Sequence, residues 1–455
     1  MQSIIKALSK IEPKRRWLMI IILIAILLRV APAFYLGNEV VQLPGTFDQI
    51  SYDMLAQRVL GGYGFTVAST WWPATPAGEP TAHWSYLYTL YLVAIYNLVG
   101  YYPLVARLLQ AILAGLLMPW LVYRLGQRHF NDKVGLVAAS LMAIYIYFIY
   151  YAAALMTETF YIIGVLWTLD MAGQLGHASD QPKNLNPVAQ GLLLGLALGL
   201  TVLLRQVFLI FIPILFGWLL WRSHRSGFRH ILRMAGTLLV AMTMLLLLIA
   251  PWTIRNYRTF DTFVLLNTNA GFAFFWGNHP IHGYNFISIL PADGPSYQAL
   301  IPSELQGLNE AELDRALLKR GLAFIQADPV RYLILSLSRM KDYFKFWPSL
   351  ESSLISNVSR VFSFGVFLPF MAYGLISQLR RSISSEALIL YLFMFTYTAI
   401  HLLSWTLIRY RLPIDAILLV FASVVLVELQ EKLARRYAKP QNILGYKAVR
   451  STRNL

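Results

Sequence analysis

The sequence predicts an all-α polytopic membrane protein with about ten transmembrane helices, on three observations. Charged residues make up 13% of the chain and hydrophobic residues 57%, where a soluble protein carries about twice that charge. The apolar runs are roughly 17–22 residues long, the length that crosses a bilayer as a helix; the short alternating segments of a transmembrane β-barrel do not occur. Basic residues collect in alternate loops, so that cytoplasmic segments sum to about +15 and outer segments to about +1. The net charge of +16 therefore reads as an inner-side bias and not as a nucleic-acid surface. The absence of cysteine excludes disulfides, thiolate metal sites and a cysteine nucleophile.

Taken in order, the first span is expected over about 17–36, after Lys14, Arg15 and Arg16, with no small-residue cleavage site. Arg29 and Pro32 sit late in it. Residues 44–65, PGTFDQISYDMLAQRVLGGYGF, follow. From Asp48 they read as an amphipathic helix. Ile50, Met54, Leu55, Val59 and Leu60 mark one face; Gln49, Asp53, Gln57 and Arg58 mark a solvated one. A helix of this kind lies in the interface plane. Residues 84–100 are apolar but short. Arg124, Arg128 and Lys133 form the next inner loop, so the span at about 104–125 starts outside. Residues 84–100 must then begin and end outside, as an interfacial or re-entrant helix.

Span three is expected over about 134–153. Span four runs from Glu158 to about Gln174, with Asp180 and Lys183 in the inner loop beyond. Residues 189–221 are interrupted by Arg205-Gln206 and split into two short spans, with Gly191, Gly195 and Gly199 as a close-packing face. Span seven is expected to end at Ala250-Pro251-Trp252. In 256–355, residues 268–271 and 276–280 read as loops, and Asn309 with Glu312 caps a helix to Ala327. Three more spans cover about 358–379, 386–405 and 412–430. Residues 1–430 are thus one transmembrane catalytic domain covered by outer loops 37–103 and 256–355. Residues 431–455 are a basic tail, with both termini cytoplasmic in a cell membrane.

This topology gathers Asp48, Glu158, Arg205, Arg255, Asn278, His279, Arg409, Tyr410 and Arg411 on the outer side. Tyr52 lies beside Asp48, and His83 in the same loop. Two acids and several arginines on one membrane face suit a phosphate-bearing substrate and an acid–base step. Each residue also has a plainer role. Asp48 is a favoured helix cap, Glu158 suits a helix N-terminus, the arginines suit interfacial anchoring, and Asn278 and His279 suit a turn. Their shared sidedness is the signal.

An ordered set of loose motifs adds to it: FDQISYDMLAQRVLGGYGF, VARLLQAILAGLLMPWLVYRLGQRHFNDKVGLVAASLMAIY, ALMTETFY, LGLTVLLRQ, APWTIRNYRTF with NTNAGFAFFWGNHP, and RYRLPID, spread over about residues 15–430. The set resembles the GT-C membrane glycosyltransferases, specifically glycosyltransferase family 39 and its aminoarabinose-transferase-like relatives. The resemblance implies a GT-C fold with juxtamembrane helices and a small outer loop region. It matches Asp48 to the family's catalytic acid, Glu158 to the acid of the second outer loop, and Arg107 and Arg205 to recurring basic positions. Relatives often carry Lys or Arg followed by Pro-Pro before the second hydrophobic segment. Here Thr81-Ala82-His83-Trp84-Ser85 stands there, which leaves a phosphate contact to His83 or an arginine.

The expected reaction is transfer of a sugar from a polyprenyl-phosphate donor to a hydroxyl of a lipid, polysaccharide or protein. Asp48 is the general base of a single, inverting displacement, kept ionised by nearby arginines. No cofactor is required by this scheme; a divalent cation, Mg or Mn, held by Asp48 and Glu158 is the variant. The rivals are a lipid-linked sugar flippase or transporter, with polar groups near the bilayer midplane, and a non-catalytic assembly scaffold.

Overall fold

The computed structural model describes residues 12–178, 186–291, 293–350, 352–381 and 384–437. The inner loop with Asp180 and Lys183, and the tail beyond 437, lie outside these residues. The described chain is helical, with only two isolated β-bridges, Thr66 to Pro80 and Trp71 to Thr75. The elements are α1 (Pro13–Leu36), α2 (Asp48–Leu60), α3 (Tyr86–Val99), α4 (Pro103–His129), α5 (Asp132–Ile144), α6 (Ile146–Ala153), α7 (Glu158–Ala178) and α8 (Pro187–Leu204). Then come α9 (Gln206–His224), α10 (Phe228–Phe260), α11 (Ala270–Asn278), α12 (Glu310–Ala327), α13 (Pro329–Tyr343), α14 (Leu354–Arg380), α15 (Leu388–Leu403) and α16 (Ile408–Tyr437).

Seven described helices are long and apolar enough to cross a membrane, eight if α5 and α6 count as one broken span. The chain is an integral membrane protein. Two expected spans fall outside that number. α15 has 16 residues. α7 contains Glu158 and Asp170, both buried. Each is held by arginines from other elements: Asp170 by Arg124 at 3.1 Å and Arg128 at 3.0 Å, Glu158 in the cluster described below. α3 has 14 residues, about 21 Å of helix, less than the roughly 30 Å of a hydrocarbon core.

Three expectations are corrected. The third span is not one straight helix. It bends by 54° between α5 and α6, which frees backbone carbonyls at the end of α5. The buried Arg29 guanidinium takes them up, donating to Met142 O at 2.8 Å and Ala143 O at 3.1 Å. That is why an arginine sits inside the first span. The seventh helix does not stop at Pro251. It runs 33 residues to Phe260 with the proline inside, as membrane helices tolerate. Residues 276–280 are not all loop, since α11 includes Trp276, Gly277 and Asn278. α12 begins as expected, with Asn309 and Glu312 in a reciprocal capping box. The following α13 is an element that the sequence reading did not separate.

The polar face assigned to α2 is solvated only in part, with Gln57 exposed and Arg58 half-buried. Gln49 and Asp53 are buried. Asp53 accepts from Tyr96 at 2.6 Å, Tyr101 at 2.9 Å and Gln57 at 2.7 Å, so it ties α2 to α3 and the turn beyond. Arg58 donates to Thr66 at 2.8 Å.

The loops converge on one end of the bundle. Ser85 donates to Leu203 O at the end of α8. Arg255, near the end of α10, donates to Thr81 O and Phe65 O. Arg339 of α13 donates to Leu402 O at the end of α15.

α8 and α10 pack through the glycine face. A Cβ on Gly195 would lie 2.5 Å from Ala241 O and 2.6 Å from Met244 Cβ; on Gly217 of α9 it would meet nothing within 4 Å. Gly195→Val should therefore cost about 1–3 kcal/mol by overpacking, while Gly217→Ala should be neutral or slightly stabilising. Thermal unfolding in detergent checks the pair.

Candidate active site

Four charged side chains meet at that end, each from a helix terminus. Asp48 is the first residue of α2 and Glu158 the first of α7. Arg205 is the extended residue between α8 and α9, and Arg409 lies in the opening turn of α16. Arg409 Nη2 donates to Asp48 Oδ2 at 2.7 Å and its Nη1 to Gly45 O at 3.0 Å. Its Nε lies 3.4 Å from Glu158 Oε1. Arg205 donates through Nη2 to the same oxygen at 2.5 Å and through Nε to Thr157 Oγ1 at 3.1 Å. The order is Asp48, Arg409, Glu158, Arg205. Tyr410 lies beneath both guanidinium groups, at 5.4 and 5.5 Å, a geometry that favours cations.

The two acids are not equivalent. The Glu158 side chain is 3% exposed and that of Asp48 24%. Glu158 Oε1 serves two arginines, while its buried Oε2 has no hydrogen-bond partner. Asp48 does not act as a plain cap: the N-cap of α2 is Phe47, with no side-chain cap bond. Burial pushes the Asp48 carboxyl above its ordinary value. Arg409 and Arg205 pull it down, and Glu158 adds to the rise. The arginines thus act in the direction that the sequence reading expects, against the effect of burial.

The other candidates divide. Tyr52 is buried in α2; its hydroxyl accepts from Ser85 N at 3.4 Å, and burial raises its phenol further above ordinary. Arg107 donates to Glu39 O at 2.8 Å and to Gln49 Oε1 at 3.3 Å. Gln49 also faces Leu155 N, so Arg107 reaches the cluster through its scaffold. The rest stand apart. His83 packs on Trp84 and Phe272, and burial lowers its imidazole to about 4. Arg255 spends its donors on Phe65 O, Thr81 O, Tyr86 Oη and Asn256 Oδ1. Asn278 accepts from Arg339 at 2.8 Å. The His279 ring accepts from Ile281 N and packs on Phe275 and Phe324. Arg411 is fully buried, paired with Asp415 at 2.8 Å and stacked on Phe364, with Tyr145 donating to Asp415.

Two supports escaped the sequence reading. Gln110 of α4 donates to Ala152 O and Ala154 O and accepts from Tyr88, fixing the turn before Glu158. Gln49 fixes the start of α2 against the same turn. A lone glutamine inside the apolar run of α4 was the available signal. Arg409, gathered with the outer-side set and equally suited to anchoring, is the centre of the cluster.

A shared cation would have to lie where Arg409 bridges the two carboxylates. Among the described residues, no three His, Asp or Glu gather as a metal site. In this structure the place between the two carboxylates is taken by the Arg409 guanidinium.

Residues 86–254 match the family described as Dolichyl-phosphate-mannose-protein mannosyltransferase. The fold matches solved structures of the oligosaccharyltransferase AglB from Archaeoglobus fulgidus. Against the complex with an inhibitory peptide and a dolichol-phosphate, the TM-score is 0.59 at 17% identity, over 93% of this chain and 51% of that one. Against the apo form it is 0.58 at 15% identity, over 94% and 52%. A weaker likeness, TM-score 0.40 at 13% identity over 90% and 77%, is to ArnT from Cupriavidus metallidurans bound to undecaprenyl phosphate. Comparison with curated proteins gives no match. The chain spans about half the length of the AglB structures. The expected GT-C type of helical fold is the fold of this chain.

The cluster makes a stability prediction. Arg409→Gln strips Asp48 of its ion pair and Glu158 of one of two cations, so it should destabilise. In Asp48→Asn the loss should be smaller, giving a coupling of about 0.5–3 kcal/mol. Additive effects on thermal unfolding in detergent would separate the two residues.

Proposed function

We propose that the chain is an inverting membrane glycosyltransferase. It moves a sugar from a polyprenyl-phosphate carrier to a hydroxyl of a lipid, polysaccharide or protein at the extracytoplasmic face. The observation that carries this is the ion cluster in which Asp48 is the more exposed of two carboxylates bridged by Arg409. The match to a mannosyltransferase family and the fold shared with an oligosaccharyltransferase support the reaction class.

In this reading Asp48 accepts the proton of the acceptor hydroxyl while its oxygen attacks the anomeric carbon. The bond from that carbon to the phosphate oxygen breaks, and the phosphate leaves with one more negative charge. The proton on Asp48 removes the charge that had balanced Arg409. The guanidinium is therefore freed to stabilise the phosphate at the moment its charge grows. Arg205 serves the same charge from the other side. Glu158, sealed by burial, holds Arg409 and Arg205 in position for that role. Phosphate is a good leaving group, so no general acid is needed.

Asp48→Asn should lower transfer about 10²-fold or more, with a smaller loss of thermal stability than Arg409→Gln because Glu158 still pairs with Arg409. Near wild-type transfer by this variant would remove Asp48 from the chemistry. Because burial raises the Asp48 carboxyl, activity should fall on acidification through a pH above the ordinary carboxylate value of about 3.9. Arg409 lowers that value, so Arg409→Gln should move the acid limb to higher pH. A pH–rate profile of both proteins checks the sign. Arg205→Lys should keep part of the activity and Arg205→Ala less, because the forked contact is lost in steps.

A further inference from the structure

α14 and α16 pack together and come closest at Gly374, where a Cβ would run into Phe421 O. Beside that contact they leave a groove of about 310 Å³, at the low end of small-molecule sites, which run to roughly 300–1,000 Å³. Pro369, Phe370 and Tyr373 of α14 line one wall, and Val425 and Leu429 of α16 the other. Tyr373 is 57% exposed and Leu429 43%, so the groove opens away from the bundle. Glu428 and Lys432 form its polar end.

The acids at that end already have partners. Arg381 pairs with Glu428 at 2.5 Å and Lys133 with Glu431 at 2.7 Å. Lys432 is exposed and has no ion pair among the described residues. Arg435 and Arg436, also exposed, follow within about one turn. An apolar groove thus leads to an excess of positive charge. α16 is long and apolar enough to span. From Arg409 to Lys432 it rises about 34 Å, slightly more than the roughly 30 Å of a hydrocarbon core. The basic end therefore lies at the membrane face opposite the Asp48 cluster.

We infer that the groove seats one acyl chain of an anionic phospholipid from the leaflet opposite the Asp48 cluster, with the headgroup phosphate on Lys432. The apolar walls accept a hydrocarbon chain, and the unpaired lysine at their end selects the charge of the headgroup. A zwitterionic lipid would fill the same walls but bring no net charge to Lys432. The inference holds whether or not the chain transfers sugar.

The chain has no cysteine, so a bimane can be attached at Tyr373→Cys, in place of a half-exposed ring. A control label goes at Leu247→Cys of α10, 65% exposed and outside the groove. In liposomes of phosphatidylglycerol and phosphatidylcholine, brominated chains on one lipid or the other report by quenching which of them stands at the label. Phosphatidylglycerol should be preferred about fivefold at 373, the weight of one lysine near a membrane surface, and not at 247. Lys432→Gln should abolish the preference. Val425→Phe, which fills the groove and leaves every charge in place, should abolish it too. Unchanged quenching at 247 shows that each variant is inserted intact. Equal quenching by both lipids at 373 would make the groove ordinary lipid-facing surface. Quenching by neither would mean that protein, the chain's own tail or a second copy, covers it. A preference that survives either substitution would be diffuse attraction to the basic end. Each of these three results overturns the inference.

Discussion

Arg409 standing between two carboxylates is the constraint on which the site depends. A guanidinium offers donors in a fixed fork, so it can serve Asp48, Glu158 and Gly45 O only if all three are already in place. They come from positions 45, 48 and 158, and the arginine from 409. The surrounding structure is arranged to hold those positions. Gln49 and Gln110 fix the turn before Glu158 against α2. Asp53 pins α2 to α3 through Tyr96 and to the turn beyond it through Tyr101. Arg255 and Arg339 fasten the loops to helix ends. In a low-dielectric surrounding an unpaired charge is expensive, so losing one member penalises the others.

The same logic explains buried charge elsewhere. Arg29 satisfies the carbonyls left by the bend after α5. Asp170 is held by Arg124 and Arg128. Arg411 and Asp415 neutralise each other at the start of α16, where Tyr145 completes the pair. In each case the buried charge has its countercharge or acceptor oxygens within hydrogen-bond reach. The Asp48 cluster differs in one respect: one of its acids keeps measurable access to solvent while the other is sealed. That asymmetry assigns different roles to two carboxylates of similar intrinsic acidity.

Features with a local cause were legible in the sequence. The break at Arg205 shows because a polar pair, Arg205-Gln206, interrupts an apolar run, and the start of α12 shows because the capping box lies within four residues. Features that depend on distant partners were not. Asp53 reads as a surface acid until Tyr96 and Tyr101, more than forty residues on, are brought to it. Arg255 and Arg409 look alike as arginines beside outer helix ends. Only the fold shows that backbone carbonyls occupy the first and that two carboxylates hold the second. α13 escaped because its apolar residues face outward, so that no packing partner within the chain marks its periodicity. Span seven was expected to end at Ala250-Pro251-Trp252, but the helix continues through the proline to Phe260.

The account rests on Asp48 being a base and on neither carboxylate being a nucleophile. The stereochemical course of transfer tests that most directly. With a polyprenyl-phosphate sugar of defined anomeric configuration, proton NMR coupling constants of the product report whether the anomeric centre has turned over. A single displacement assisted by Asp48 predicts inversion. Retention would require a covalent glycosyl intermediate on a carboxylate, and would contradict the role assigned here to the Asp48–Arg409–Glu158–Arg205 cluster.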